Sequence, residues 1–254
     1  MIIVGLQAPI VWENPGANRK HFEKLIREQV GNHVGKAGQV DLIVLPENFT
    51  TGFSMNLEDI DSWESGVTLG WMKGLASELD VAIFGSVAFR MEDGTARNRG
   101  LFVKPSGEIE HYDKKHLFSL GNEDEFYIPG ENKVVVEYKG WKILLQICYD
   151  LRFPEFSRNS FEAPYDIALY VANWPVPRIH AWRTLLQARA IENQCYVVGV
   201  NRSGEDPSGN TYSGDSLGVG FLGDVKSEGP VVEIICERGE LNVYRERFPF
   251  LKDA

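Results

Sequence analysis

Residues 141–154 read WKILLQICYDLRFP. Trp141 to Ile147 is a mostly apolar run of strand length, and Pro154 is suited to open a helix. Cys148 therefore falls on the turn between a strand and a helix. Such a turn presents its side chain at the sheet edge, with backbone N–H groups pointing into the same space. A nucleophile needs that position. A free cysteine is also a common small core residue, and the local context of Cys148 leaves both readings open. Cys195 and Cys236 lie in or beside apolar strands with no charge pattern nearby, and they read as core.

Outward from this stretch, the N-terminal third alternates strands with helices. Residues 2–7 form a strand, and Asn14-Pro15 opens a helix that continues through Phe22, Leu25, Ile26 and Val30. Asp41 to Leu45 is a buried strand stopped by Pro46. Met72, Leu75, Ala76 and Leu79 mark a second amphipathic helix, and Val81 to Phe84 is another strand. Short strands with hairpin-like turns follow: Gly100 to Lys104, Ile109 to Asp113, Val134 to Tyr138, the turn Lys139-Gly140, and Trp141 to Ile147. Ile167 to Val171 and Cys195 to Val200 are strands flanking a helix from Ile179 to Asn193. The roughly 40 residues before the C-terminal tail read as β-structure with glycine turns. No repeat, low-complexity tract or linker interrupts the pattern, so residues 1–254 are expected to form a single α/β domain. Its mixed strands point to two packed sheets with helices outside.

Composition narrows the function. The chain has 254 residues, 43% hydrophobic and 24% charged, which fits an ordinary soluble globular protein. A net charge of −10 without a basic run disfavours nucleic acid as a partner. No run of about 18 apolar residues is present to span a membrane. The first residues, MIIVGLQAPIVW, lack the basic start of a signal peptide. Three cysteines without a CxxC give neither a disulfide framework nor a zinc knuckle, and they fit a cytoplasmic protein. On that footing the glycosylation patterns at Asn48-Phe49-Thr50 and Asn201-Arg202-Ser203 are chance matches.

A nucleophilic cysteine needs a base. His21 and His33 belong to a helix face and its exit, and no two of the five histidines stand at metal-ligand spacing. Glu47 follows the buried strand ending at Leu45 and precedes the apolar, turn-forming Asn48 to Phe53. That setting desolvates a carboxylate, which favours proton uptake; a surface glutamate is the alternative. Tyr112-Asp-Lys-Lys-His-Leu-Phe118 supplies two lysines, one of which would stabilise an oxyanion beside Glu47 and Cys148. Two other matches fail on context. Gly214-Asp-Ser216-Leu-Gly218 is followed by a glycine-rich stretch rather than a helix, with no histidine after it. Gly218-Val-Gly220-Phe-Leu-Gly223 lacks a surrounding βαβ unit.

Leu45-Pro-Glu47-Asn-Phe, Tyr112-Asp-Lys114-Lys-His-Leu-Phe and Ile147-Cys148-Tyr-Asp-Leu-Arg-Phe-Pro154 together resemble, in order and spacing, the Glu–Lys–Cys motifs of the nitrilase, or carbon–nitrogen hydrolase, superfamily. Asp166 to Pro177 and Ala188 to Gln194 also resemble family blocks. The resemblance implies a four-layer αββα sandwich, commonly a homodimer, with no cofactor or metal. It implies Glu47 as general base, Lys114 as catalytic lysine, Cys148 as nucleophile, and a second glutamate at Glu123, with Glu125 as competitor. Phe49 to Met55, Cys148 to Pro154 and Val171 to Pro175 resemble omega-amidases acting on 2-oxoglutaramate or 2-oxosuccinamate. Other amide or nitrile hydrolases of the superfamily, and a non-catalytic scaffold on the same fold, are the alternatives. A substrate with a far carboxylate needs a cation: Arg152 is the first candidate, then Arg178 and Arg202. Phe53, Phe118, Tyr149 and Trp174 are candidate walls.

Overall fold

The computed structural model describes residues 1–35, 38–58 and 60–253. Asn14 caps the helix Pro15–His33, its Oδ1 accepting from Ala17 N at 3.0 Å, and Pro15 takes the first helical position. Strand alternation sorts side chains into two layers of core. Ile43 and Leu45 join Phe22, Ile26 and Met72 beneath the helices Pro15–His33 and Val67–Leu79. Leu42 and Val44 point the other way, into a cluster with Ile147 and Leu169 of the second sheet.

The first sheet runs Val231–Ile235, Ile2–Leu6, Leu42–Val44, Ala82–Arg90, Ala96–Val103, Ile109–Asp113, with Asp61–Ser62 added against Ala82–Arg90. The second runs Val225–Glu228, Leu217–Val219, Tyr196–Asn201, Ile167–Ala172, Trp141–Ile147, Val135–Tyr138. Each has three parallel strands at its heart and antiparallel strands outside them. The helix Ile179–Asn193 covers the second sheet, with Trp182, Leu186 and Ala190 in its core. Helices therefore lie outside both sheets, the αββα sandwich expected. Among the described residues, no helix is long and apolar enough to cross a membrane.

Residues Lys139 and Gly140 both take positive φ, 47° and 76°, as a two-residue hairpin turn requires. One expectation fails. The segment read as β to the tail contains a helix, Arg238–Arg247, and a 3₁₀ turn, Phe250–Asp253. Leu241 is its only buried residue, so its sequence carries no apolar stripe to announce it. Asn48 and Asn201 of the glycosylation patterns are 1% and 0% exposed, out of reach of any glycan.

The C-terminal ends of the parallel strands lie at one edge, where open α/β sheets place their ligands. Leu42–Val44 leads to Glu47, Trp141–Ile147 to Cys148 and Ile167–Ala172 to Asn173. Ile109–Asp113 is antiparallel to its antiparallel neighbour, so Lys114 emerges at that same edge. Cys195 precedes Tyr196–Asn201, and Cys236 pairs backbone with Met1, so both lie at the opposite edge.

Gly199 tests the packing of helix on sheet. A Cβ there would meet Leu186 Cδ1 at 2.4 Å and Trp182 Cζ2 at 2.9 Å. Gly199→Ala should cost about 1–3 kcal/mol through overpacking, read as a lower urea midpoint at unchanged slope. An unchanged midpoint would show that the helix yields freely.

Candidate active site

Glu47 sits in a turn shaped by Asn48 at φ 42°, whose N–H donates to Ser86 Oγ at 2.9 Å. The Glu47 carboxylate is fully buried and held from several sides. Its Oε1 accepts from Lys114 Nζ (2.8 Å) and Asn98 Nδ2 (2.9 Å). Its Oε2 accepts from Asn173 N (2.8 Å). The charge of the same carboxylate acts on the Cys148 thiol and favours its protonated form.

Lys114 Nζ also donates to Glu123 Oε1 (3.0 Å) and Oε2 (2.8 Å), and all three side chains are 0% exposed. Burial alone would lower the lysine's pKa; Glu123 and Glu47 outweigh it and hold it well above the ordinary value. Burial raises the Glu123 pKa, with Lys114 opposing and Glu47 adding to the rise. Asn98 Nδ2 bridges to Glu123 Oε1 at 3.1 Å, and Phe118 N donates to its Oε2 at 2.7 Å. Glu125 is exposed, so the geometry selects Glu123 of the two glutamates as the one beside Lys114.

Cys148 starts a 3₁₀ segment, Cys148–Arg152, at φ 47°. A non-glycine residue there is strained by roughly 1–2 kcal/mol, so surrounding bonds must hold it. Asp150 does this. Its Oδ2 accepts from Ile147 N (3.0 Å) and Tyr112 OH (2.7 Å). Its Oδ1 accepts from His116 N at 3.0 Å and contacts His116 Nδ1 at 2.7 Å. One buried carboxylate thus ties the cysteine turn to the segment that carries Lys114. His116 stacks on Phe153 with ring centroids 3.8 Å apart.

Cys148 opens into a cavity of about 420 Å³. Phe53, Phe118, Tyr149, Arg152 and Trp174 all line it, joined by Trp12, Arg178 and Tyr212. The Arg152 guanidinium lies 5.0 Å from the Trp174 ring centre, and that of Arg178 lies 5.0 Å from the Phe118 ring centre. Neither has a carboxylate partner among the described residues. Arg202 is set apart: 1% exposed beneath Tyr212, it donates to the carbonyls of Ser203, Glu205 and Ile10 and does not line the cavity. Ser216 is fully buried, its Oγ accepting from Asn201 N, and it leads into a strand rather than a helix.

Asn98, Asp150 and Asn173 were missed by the sequence reading. The available signal was a polar residue at the end of, or inside, an otherwise buried strand. Asn173 follows six buried residues, Ile167–Ala172.

The chain belongs to the carbon–nitrogen hydrolase family, whose model matches residues 5–235. It is 46% identical to the omega-amidase YafV of Yersinia enterocolitica, covering 98% of this chain and 94% of that one. It is 34% identical to the 2-oxoglutaramate amidase of Bacillus subtilis, covering 98% and 95%. Among solved structures it resembles XC1258 of Xanthomonas campestris, a CN-hydrolase superfamily protein with an arsenic adduct in its active site. That match has 42% identity, a TM-score of 0.93, and coverage of 100% and 97%.

The thiol's protonation is testable. Burial first, then the Glu47 charge, pushes the Cys148 pKa well above 9.0, against the opposing pull of Lys114. A raised pKa keeps the proton on sulfur at lower pH. The 240 nm absorbance difference between wild type and Cys148→Ala should therefore show no thiolate step up to pH 9.0. A step near neutrality would mean a resting thiolate and a different role for Glu47.

Proposed function

We propose that the protein is an amidase that cleaves the terminal amide of a small 2-oxo dicarboxylate monoamide, 2-oxoglutaramate or 2-oxosuccinamate, to the acid and ammonia. The observation that carries this reading is the pair of arginines, Arg152 and Arg178, without acidic partners among the described residues, on the wall of the cavity that holds Cys148. Together they offer a carboxylate two guanidinium groups on one wall of the cavity. The names of the omega-amidase and 2-oxoglutaramate amidase relatives point to the same substrates.

In this mechanism Glu47 takes the thiol proton as sulfur attacks the amide carbonyl. Lys114 and the Tyr149 N–H hold the oxyanion. Tyr149 lies in the first turn of the 3₁₀ segment, where N–H groups lack an intrahelical partner. Once protonated, Glu47 attracts Lys114 less, which turns an ammonium N–H toward the oxyanion. Glu47 then protonates the departing nitrogen, leaving a Cys148 thioester, and activates the water that hydrolyses it. Glu123 keeps Lys114 charged and in place. Phe53, Phe118, Tyr149 and Trp174 exclude water from the chain of the substrate. The reading carries with it a homodimer in the cytoplasm, and sedimentation of the full chain tests the dimer.

The deciding experiment assays ammonia release from 2-oxoglutaramate beside simple nitriles and carbamoyl amino acids, with intact-mass trapping of the thioester. Cys148→Ala should be inert yet folded by circular dichroism; full activity in it sinks the scheme. Arg152→Ala or Arg178→Ala should raise KM for 2-oxoglutaramate about tenfold or more, the loss of one charge-assisted bond. Turnover of an uncharged aliphatic amide should stay unaffected. Preference for a nitrile or a carbamoyl substrate would assign another activity to the same site.

A further inference from the structure

Asn173 has committed both of its donors to one residue. Its N–H goes to Glu47 Oε2 at 2.8 Å, and its Nδ2 goes to the Glu47 carbonyl at 2.7 Å and to Oε2 at 3.4 Å. Both atoms that Nδ2 reaches are acceptors, which fixes the orientation of the amide group. Its Oδ1 is then left buried without a partner among the described residues. The residue is 7% exposed and lines the cavity together with Cys148. An unmatched buried acceptor is rare in a folded protein and calls for a donor from elsewhere.

We propose that Asn173 Oδ1 accepts an N–H of the substrate's amide nitrogen and holds that nitrogen against Glu47 while the C–N bond breaks. The proposal rests on the amidase reading above. As the S–C bond forms, the thiol proton passes to Glu47 and the carbonyl π pair moves to oxygen. On collapse, the C–N bonding pair goes to nitrogen, which takes the proton from Glu47 and leaves as ammonia. The nitrogen lone pair must face Glu47 at that moment. Glu47 cannot also anchor an N–H, because Oε1 is engaged by Lys114 and Asn98, and Oε2 receives the Asn173 N–H. Two acceptors beside it lack a partner among the described residues, Asn98 Oδ1 and Asn173 Oδ1, and of these two residues Asn173 lines the cavity with Cys148. An ester leaving group has no N–H, so this contact favours amides over esters.

The test compares kcat/KM for the terminal amide and the terminal methyl ester of one 2-oxo dicarboxylate in wild type, Asn173→Ala and Asn173→Asp. For both substrates kcat/KM covers the steps through loss of the leaving group. Loss of Nδ2 loosens Glu47 for both substrates alike; loss of Oδ1 affects the amide alone. The amide-to-ester ratio should fall about tenfold or more in Asn173→Ala, the worth of one hydrogen bond kept into the transition state. Asn173→Asp keeps an acceptor at the Oδ1 position, so its ratio should stay within about threefold of wild type although both rates drop. An unchanged ratio in Asn173→Ala, or an equal fall in Asn173→Asp, overturns the proposal. Thermal melts confirm folding, and Asn173→Ser, whose hydroxyl is too short to reach the Oδ1 position, replaces Asn173→Ala if the latter does not fold. If wild type turns over neither substrate, the amidase reading fails with it; an active wild type with an unchanged ratio removes the Asn173 role alone.

Discussion

Lys114 carries its charge with no exposure to water, between the carboxylates of Glu47 and Glu123 at 2.8 Å each. Taking three ionic groups out of water costs several kcal/mol apiece, and mutual attraction offsets this only when the remaining lone pairs are also satisfied. The surrounding donors meet that demand. Asn98 reaches both carboxylates, Phe118 N completes Glu123, and Asn173 completes Glu47. Glu47, Asn98, Lys114 and Glu123 are carried by the first sheet and the segments that leave it, and the N–H of Asn173 reaches Glu47 from the end of Ile167–Ala172 in the second, so the cluster is complete only when the two sheets are in register. Charge cluster and sandwich therefore support each other, and loss of Lys114 would leave two carboxylates facing each other in the interior without a cation.

The same logic explains the strained turn at Cys148. A left-handed cysteine would relax if left alone. Asp150 prevents this by binding the backbone just before the cysteine and the segment just after Lys114. Cys148 and Lys114 are thereby positioned through one buried carboxylate, separate from Glu47, the proposed base. In the proposed mechanism placement and proton transfer fall to different residues, so the base need not also hold the turn.

Much of this was legible in the sequence because strand ends are legible. Glu47 and Cys148 each follow an apolar run, and that alone placed them at a sheet edge; the order of the three motifs added Lys114. Glu123 could not be separated from Glu125 by residue type, because the choice depends on a short helix, Glu123–Phe126, that turns one inward and leaves the other exposed. Arg202 stood behind Arg152 as a candidate and could not be dismissed, because an arginine's direction is set by what packs over it, here Tyr212. Asn98 and Asn173 gave no alarm, since asparagine is ordinary in turns and its value here comes from long-range partners. The helix Arg238–Arg247 escaped because a single buried leucine sets no period.

The arrangement of charge gives the cavity a direction. At its base, two carboxylates and one ammonium leave an excess negative charge around a neutral thiol, which disfavours any anion there. On its wall, Arg152 and Arg178 lie over aromatic rings, without acidic partners among the described residues. A ligand with one anionic end and one neutral polar end is thereby oriented before any contact is optimised, because the reversed pose places its charge against Glu47. Each guanidinium lies against an aromatic face, which restricts where it can point and leaves its N–H groups open to a carboxylate. A cavity of about 420 Å³ bounded in this way fits a short bifunctional molecule better than a polymer. Discrimination then follows from which end of the substrate carries the charge, and the chemistry follows from which end is left facing the sulfur.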